Sequence, residues 1–144
     1  VEQCLFKVPR IYFEQSEIFR DTFTLPWGDP ADDGTSDETP LCLVGVKAQD
    51  FRSFLRLLIS LPSDGGEPNF AKEGWLGVLK LSDMWKFQKI RELSINKLGH
   101  TSMDAVERVF LGRGYGIDDW VLRGLAHLAE REGSLSLIEA EELG

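Results

Sequence analysis

The residues best placed by type and spacing to do chemistry lie in an acidic loop, residues 26–40. Three of them occupy positions one, five and six of a calcium-binding EF-hand loop, namely Asp29, Asp33 and Gly34. Position three, however, is Ala31, and position twelve, which requires a bidentate glutamate, is Pro40. Because two required ligands are missing, the pattern favours a solvated loop over a calcium site.

A glycine-rich run, Gly112-Arg113-Gly114-Tyr115-Gly116, has the composition of a phosphate-binding loop. It follows a helical pattern rather than a strand, and its spacing fits neither the dinucleotide-binding motif nor the P-loop. Glycines between two predicted helices are typical of a turn. We therefore predict that this run ends one helix and opens the way to the next.

The histidines and cysteines indicate no metal site and no nucleophile. His100 and His127 lie far apart in the sequence, and neither has a cysteine or a second histidine at ligand spacing. Cys4 and Cys42 lie within apolar segments, where a free cysteine behaves as a small buried hydrophobe. The pattern predicts a chain that is not an enzyme and has no catalytic residue, no metal ligand and no cofactor.

Charge and composition exclude two further classes of partner. The 144 residues carry a formal net charge of −8, which repels nucleic-acid phosphates and anionic lipid. No apolar run approaches the roughly 20 residues needed to cross a bilayer, and the N-terminal residues do not form a secretory signal. Two cysteines are too few for a disulfide framework. We expect an intracellular protein, cytoplasmic or nuclear, that binds neither nucleic acid nor membrane.

The first half of the chain is predicted to mix strands and helices. Residues 4–8 alternate as a strand does, and residues 41–46 form a continuous apolar run typical of a central strand. Between them, Pro9 begins a short helix over 9–14. Ser16 is a suitable N-cap for a second helix.

Helical periodicity dominates the rest of the chain. The strongest case is residues 48–60, where a broad apolar stripe recurs at helical spacing: Phe51, Phe54, Leu55, Leu58 and Ile59. Helices are also predicted over 71–87, which is apolar nearly all round and places Trp85 in the core, and over 89–98. Two more helices follow. The apolar stripe of the first is Met103, Val106, Val109 and Phe110, and that of the second is Val121, Leu122, Leu125, Leu128 and Ala129. A capping box of Ser136 and Glu139 begins a last short helix.

The order of these elements resembles a BTB/POZ domain of the fungal-type branch. Leu5-Phe6-Lys7-Val8-Pro9-Arg10 and the following Ser16-Glu17-Ile18-Phe19-Arg20-Asp21-Thr22-Phe23 are similar to the family's "Phe-x-Val-His-Arg" and "Ser-x-x-Phe-x-x-x-Phe" blocks, with Pro9 in place of the histidine. Residues 41–55 and 75–93 resemble its next strand and helix and its closing helix pair. Residues 1–98 would be this domain, its first strand largely missing, and 99–144 a helical, BACK-like extension.

The resemblance implies an α+β fold, a small β-sheet flanked by helices and followed by a short all-helical extension. It also implies a non-enzymatic protein–protein interaction and oligomerisation module, with a cullin-type ubiquitin ligase scaffold as one partner for which the chain would be a substrate adaptor. The alternative is the BTB domain of a transcription-associated regulator whose DNA-binding region lies elsewhere.

Two sets of residues are candidates for these contacts. The short helix at 9–14 carries Ile11, Tyr12 and Phe13 in succession, which one core face cannot accommodate because neighbours on a helix point about 100° apart. In the family this helix lies on a two-fold axis, so these residues are candidates for homodimer formation. Arg52 and Arg56, off the apolar stripe of 48–60, and Phe70 in the following loop are candidates for partner binding.

Overall fold

The computed structural model describes residues 1–24, 34, 36–61, 66 and 68–130, and these residues form six α-helices. Their bounds are α1 Glu17–Thr24, α2 Ala48–Ser60, α3 Lys72–Met84, α4 Gln88–Gly99, α5 Ala105–Tyr115 and α6 Asp118–Glu130. A 3₁₀ turn, Arg10–Tyr12, precedes α1. The chain divides into two compact units, Val1–Leu98 (unit 1) and Gly99–Gly144 (unit 2).

The predicted α+β fold with a small β-sheet is wrong, because no residue in the described ranges belongs to a β-strand. Residues 41–46 do not form the expected central strand. The side chain of Val44 is 91% exposed, and Gly45 takes a left-handed φ of +75° that interrupts an extended backbone. Cys42, expected to be buried, is exposed. A central strand would have buried successive side chains on both faces, whereas here Val46 is the buried one.

The predicted strand at 4–8 is also absent. Glu2 and Gln3 both take positive φ values of 44° and 61°, and the backbone N–H of Cys4 closes this turn onto the carbonyl of Val1 at 2.8 Å. Leu5 is 53% exposed. A strand needs the hydrogen bonds of a neighbouring strand, and the described part of the chain provides none for this segment.

The helix predicted over 48–60 is confirmed as α2, with the same bounds. Its apolar stripe packs against α3 within unit 1, but the stripe is rotated from the predicted one. Leu57 is fully buried, while Ile59 is 42% exposed. Gly77 of α3 lets the two helices approach, because a Cβ there would lie 2.7 Å from Oδ1 of Asp50.

An aromatic cluster fills the core of unit 1 around Trp85, which follows α3 and is 6% exposed. Its indole makes edge-on contacts with Phe19 at 5.3 Å and Phe54 at 5.3 Å, and with Phe51 at 5.9 Å. The prediction that Trp85 is a core residue is confirmed. The helix predicted over 71–87 ends earlier, however, at Met84.

A left-handed residue ends α3. Lys86 has a φ of +56°, and the N–H of Phe87 reaches back to the carbonyl of Ser82 at 2.9 Å. The N–H of Lys86 contacts the carbonyl of Asp83 at 3.4 Å. These two bonds form a Schellman motif, in which the left-handed position is usually glycine.

Ser16 joins the beginning of α1 to the end of α3. Its side chain is fully buried, and its Oγ accepts the N–H of Phe19 at 3.3 Å, which confirms its predicted role as the N-cap. The same hydroxyl donates to the backbone carbonyl of Trp85 at 2.5 Å. One short side chain therefore satisfies backbone groups of two helices that are distant in sequence.

In unit 2, helices α5 and α6 cross at two glycines. A Cβ on Gly124 would lie 2.6 Å from a methyl of Val109 and 2.8 Å from the carbonyl oxygen of Ala105, and a Cβ on Gly112 would lie 2.8 Å from a methyl of Val121. Small residues at these points let the two backbones approach closely. The carboxylate of Asp104 accepts the N–H of Glu107 at 2.8 Å and so caps α5.

Several predictions for unit 2 need correction. Gly112 and Gly114 lie inside α5, and the helix ends at Gly116, which has a φ of +64°. Four residues assigned to the apolar stripes are exposed, by 60% for Phe110, 68% for Leu122 and 43% for Leu125, with Ala129 the fourth. The inward side of α6 instead holds Trp120 and Gly124. The capping box of Ser136 and Glu139 lies outside the described residues.

Candidate protein-interaction surface

The exposed side of α2 carries two arginines, each positioned over an aromatic ring. The guanidinium carbon of Arg52 lies 5.9 Å from the ring centroid of Phe6, and that of Arg56 lies 5.5 Å from the centroid of Phe70. Arg52 and Arg56 are one helical turn apart. We call these four residues the arginine face. The structure thus brings together the three predicted partner-binding residues, Arg52, Arg56 and Phe70.

The core of unit 1 holds both aromatic rings of the arginine face. Phe6 packs edge-on against buried Phe51, with ring centroids 4.9 Å apart, and Phe70 packs edge-on against buried Trp75 at 5.2 Å. Gly74 lies under Phe70. A Cβ added to Gly74 would lie 3.0 Å from the Cβ of Phe70. Each arginine therefore lies over a ring whose position is set by a buried neighbour.

The charges of the arginine face are not neutralised by carboxylates in the described part of the chain. Arg20, Arg91 and Arg123 form ion pairs with acidic side chains at 3.7, 2.8 and 3.0 Å. Arg52 and Arg56 form none there, and the polar contact of Arg52 is with the Sγ atom of Cys4 at 3.9 Å. Two like charges one turn apart repel each other, so an anionic partner would relieve a local cost.

The three residues predicted for self-association lie in different environments. Ile11 is 68% exposed and Tyr12 is partly exposed, whereas Phe13 is 7% exposed and packs against Phe19 at 4.8 Å. Ile11 is the one of the three that points outward. Of the three, Ile11 and Tyr12 are therefore the ones that leave apolar surface exposed.

The part of the chain that the structure describes holds no cluster suited to binding a metal ion. Asp29 and Asp33 lie outside the described residues, and among the described ones no group of three His, Cys, Asp or Glu side chains could hold a metal ion. His100 and His127 are both exposed. In the described end of the acidic loop, hydrogen bonds from the backbone of Glu38 and from the side chain of Ser36 lower the pKa of the Glu38 carboxyl group.

An open depression in unit 1 is lined by Val1–Gln3 and Cys42–Lys47. Its single carboxylate belongs to Glu2 and accepts the backbone N–H of Ala48 at 2.7 Å. Lys47, at the N-cap position of α2, makes no side-chain cap, so Glu2 provides the acceptor that the first turn of this helix needs. The carboxylate in this depression thus has a structural role.

Comparisons with known proteins do not identify the chain: no protein-family model, no curated protein and no solved structure matches it. No helix in the described ranges has both the length and the apolar character required to cross a lipid bilayer.

Sequence reasoning missed two residues of this surface. Phe6 belongs to the segment 4–8 predicted as a strand, and its contact with Arg52 joins residues far apart in the chain. Ile59 was assigned to the core, yet it lies exposed on the same side of α2 as the two arginines. Residue type and spacing do not indicate that Phe6 contacts Arg52. The exposure of Ile59 would follow from the sequence if the apolar stripe of 48–60 were centred slightly further round the helix.

Proposed function

We propose that this chain is a non-enzymatic protein–protein interaction module that binds its partner through the arginine face. The observation that carries the proposal is the pair Arg52 and Arg56, exposed, without ion pairs among the described residues and each held over an aromatic ring. Arginine and aromatic side chains dominate the binding energy of many interfaces. An aromatic ring also limits the rotamers of the arginine above it, which lowers the cost of ordering on binding.

The partner implied by the BTB/POZ resemblance is a cullin-type scaffold, with the chain acting as an adaptor. Two helical blocks of that resemblance coincide with α2 and α3, whereas its strand blocks at 4–8 and 41–46 do not form strands. The free thiols of Cys4 and Cys42 fit an intracellular, cytoplasmic or nuclear location, where disulfides are rare.

The test is direct binding of a purified cullin scaffold to the whole chain. We expect the triple variant Arg52→Ala/Arg56→Ala/Phe70→Ala to lose at least tenfold in affinity, about 1.4 kcal/mol. The double variant Arg20→Ala/Lys89→Ala, which removes two exposed positive charges from α1 and α4, is the matched control and should bind normally. Both variants must retain the circular dichroism spectrum of the parent. Unchanged binding by the triple variant would exclude the arginine face as the cullin site.

Self-association forms the second part of the proposal and is centred on Ile11 and Tyr12. An exposed isoleucine beside a partly exposed tyrosine is a small apolar surface that a two-fold axis could pair with its own copy. Light scattering at tens of micromolar should give a species of twice 16.2 kDa. Ile11→Glu should dissociate it, whereas Leu122→Glu, at an equally exposed position, should not. A monomer at every concentration would contradict this part alone.

A further inference from the structure

We infer that the arginine face binds an acidic amphipathic helix of a partner protein. This inference deepens the proposed function and rests on it. The exposed side of α2 carries Arg52 and Arg56, although the chain has a net charge of −8. The only carboxylate of α2, Asp50, lies against Gly77 of α3 instead. The exposed side of α2 is therefore locally positive and complementary to an acidic surface.

The geometry of α2 favours a helix as the ligand. Successive residues of a helix are about 100° apart and rise about 1.5 Å, so Arg52, Arg56 and Ile59 lie within an arc of about 60° along about 10 Å. A second helix with carboxylates one turn apart presents them with Cβ atoms about 5–6 Å apart, the same spacing as the two arginines. Each guanidinium can then hold one carboxylate through two parallel hydrogen bonds.

An apolar contact completes the recognition surface. Ile59 is 42% exposed and continues the row of Arg52 and Arg56, and the rings of Phe6 and Phe70 border the row. A purely acidic ligand would leave these carbon surfaces in water. An amphipathic helix with leucine one turn beyond its two carboxylates would cover Ile59 while pairing both arginines.

The experiment uses the whole chain and three fluorescein-labelled, alanine-based helical peptides. The acidic probe has glutamates at i and i+4 and leucines at i+7 and i+8; the second probe replaces the glutamates with glutamines; the third places the same two glutamates on opposite sides of the helix. Fluorescence anisotropy should show the acidic probe binding about tenfold or more tightly than either control probe, because hydrogen bonds between charged groups are stronger than those between neutral groups. Its affinity should fall several-fold as salt screens the charges.

Charge reversal provides the internal control. The variant Arg52→Glu/Arg56→Glu should lose the acidic probe and gain a probe with lysines in place of the glutamates, whereas Arg20→Ala/Lys89→Ala should keep the original preference. Equal binding of the glutamate and glutamine probes would overturn the inference. So would a dimer in light scattering that the charge-reversed variant breaks, because the face would then bind a second copy of this chain.

Failure of this inference is distinguishable from failure of the proposed function. If the acidic probe does not bind while the Arg52→Ala/Arg56→Ala/Phe70→Ala variant still loses its protein partner, the partner is not an acidic helix but the surface stands. If the probe binds and the triple variant keeps the cullin scaffold, the acidic-helix site stands and the arginine face is excluded as the cullin site.

Discussion

The hydroxyl of Ser16 provides a sharp test of how unit 1 is held together. It caps α1 by accepting the N–H of Phe19 at 3.3 Å, and it donates to the carbonyl of Trp85 at the end of α3. Ser16→Ala removes a helix cap, which costs about 1 kcal/mol. It also leaves a buried carbonyl without this donor, which costs about 1–3 kcal/mol. We therefore expect a total loss of about 2–4 kcal/mol in the free energy of unfolding.

The assay is urea denaturation followed by tryptophan fluorescence and circular dichroism, with the slope against urea unchanged. Ser94→Ala is the matched control. Ser94 is also fully buried, but its hydroxyl donates to the carbonyl of Ile90 four residues earlier in the same helix, a carbonyl that a helix already bonds through its backbone. Its loss should change stability by less than about 1 kcal/mol, because no backbone group is left unsatisfied.

Ser16→Gly separates the two roles. Glycine is tolerated at an N-cap at a cost of only a few tenths of a kcal/mol, so the remaining loss measures the bond to Trp85. The reasoning is refuted if Ser16→Ala costs less than about 1 kcal/mol, or if Ser94→Ala costs as much as Ser16→Ala.

Four other substitutions test the packing in both units. Trp85→Ala should cost about 3–5 kcal/mol in urea denaturation, the range for an aromatic cavity, and a loss under about 1 kcal/mol would show that the indole is not central. Gly124→Ala should lower the melting temperature, because its Cβ would lie 2.6 Å from a methyl of Val109. Gly114→Ala, with open space around it, should raise the melting temperature. A change of the same sign in both variants would contradict the close crossing of α5 and α6 at Gly124. Lys86→Gly should stabilise the chain by about 1 kcal/mol, since φ is +56° there, and a destabilised variant would mean that the Schellman turn is not formed.

The arginine face could be predicted only in part from the sequence. Arg52 and Arg56 lie off the apolar stripe of a regular helix, so their exposure follows from helical periodicity. Their aromatic partners do not follow from it, because Phe6 and Phe70 lie outside α2 and contact the buried rings of Phe51 and Trp75.

The sequence by itself determined the local elements. The bounds of α2 at Ala48 and Ser60, the cap at Ser16 and the burial of Trp85 follow from spacing and residue type, because the hydrogen bonds of a helix join residues four apart. Only the tertiary structure decided the fate of residues 41–46. Their apolar run is compatible with a strand, yet strand hydrogen bonds come from another segment of chain, and no described segment supplies them.

The glycines of unit 2 also separate what the sequence determines from what the tertiary structure decides. Gly112 and Gly114 belong to a run that favours a turn by composition, but both lie within α5. Gly112 is needed there because Val121 of α6 approaches where its Cβ would be, and Gly116 alone takes the left-handed conformation that ends the helix. Local chemistry predicts that a glycine-rich run can turn, whereas the approach of a second helix decides which glycine turns and which one packs.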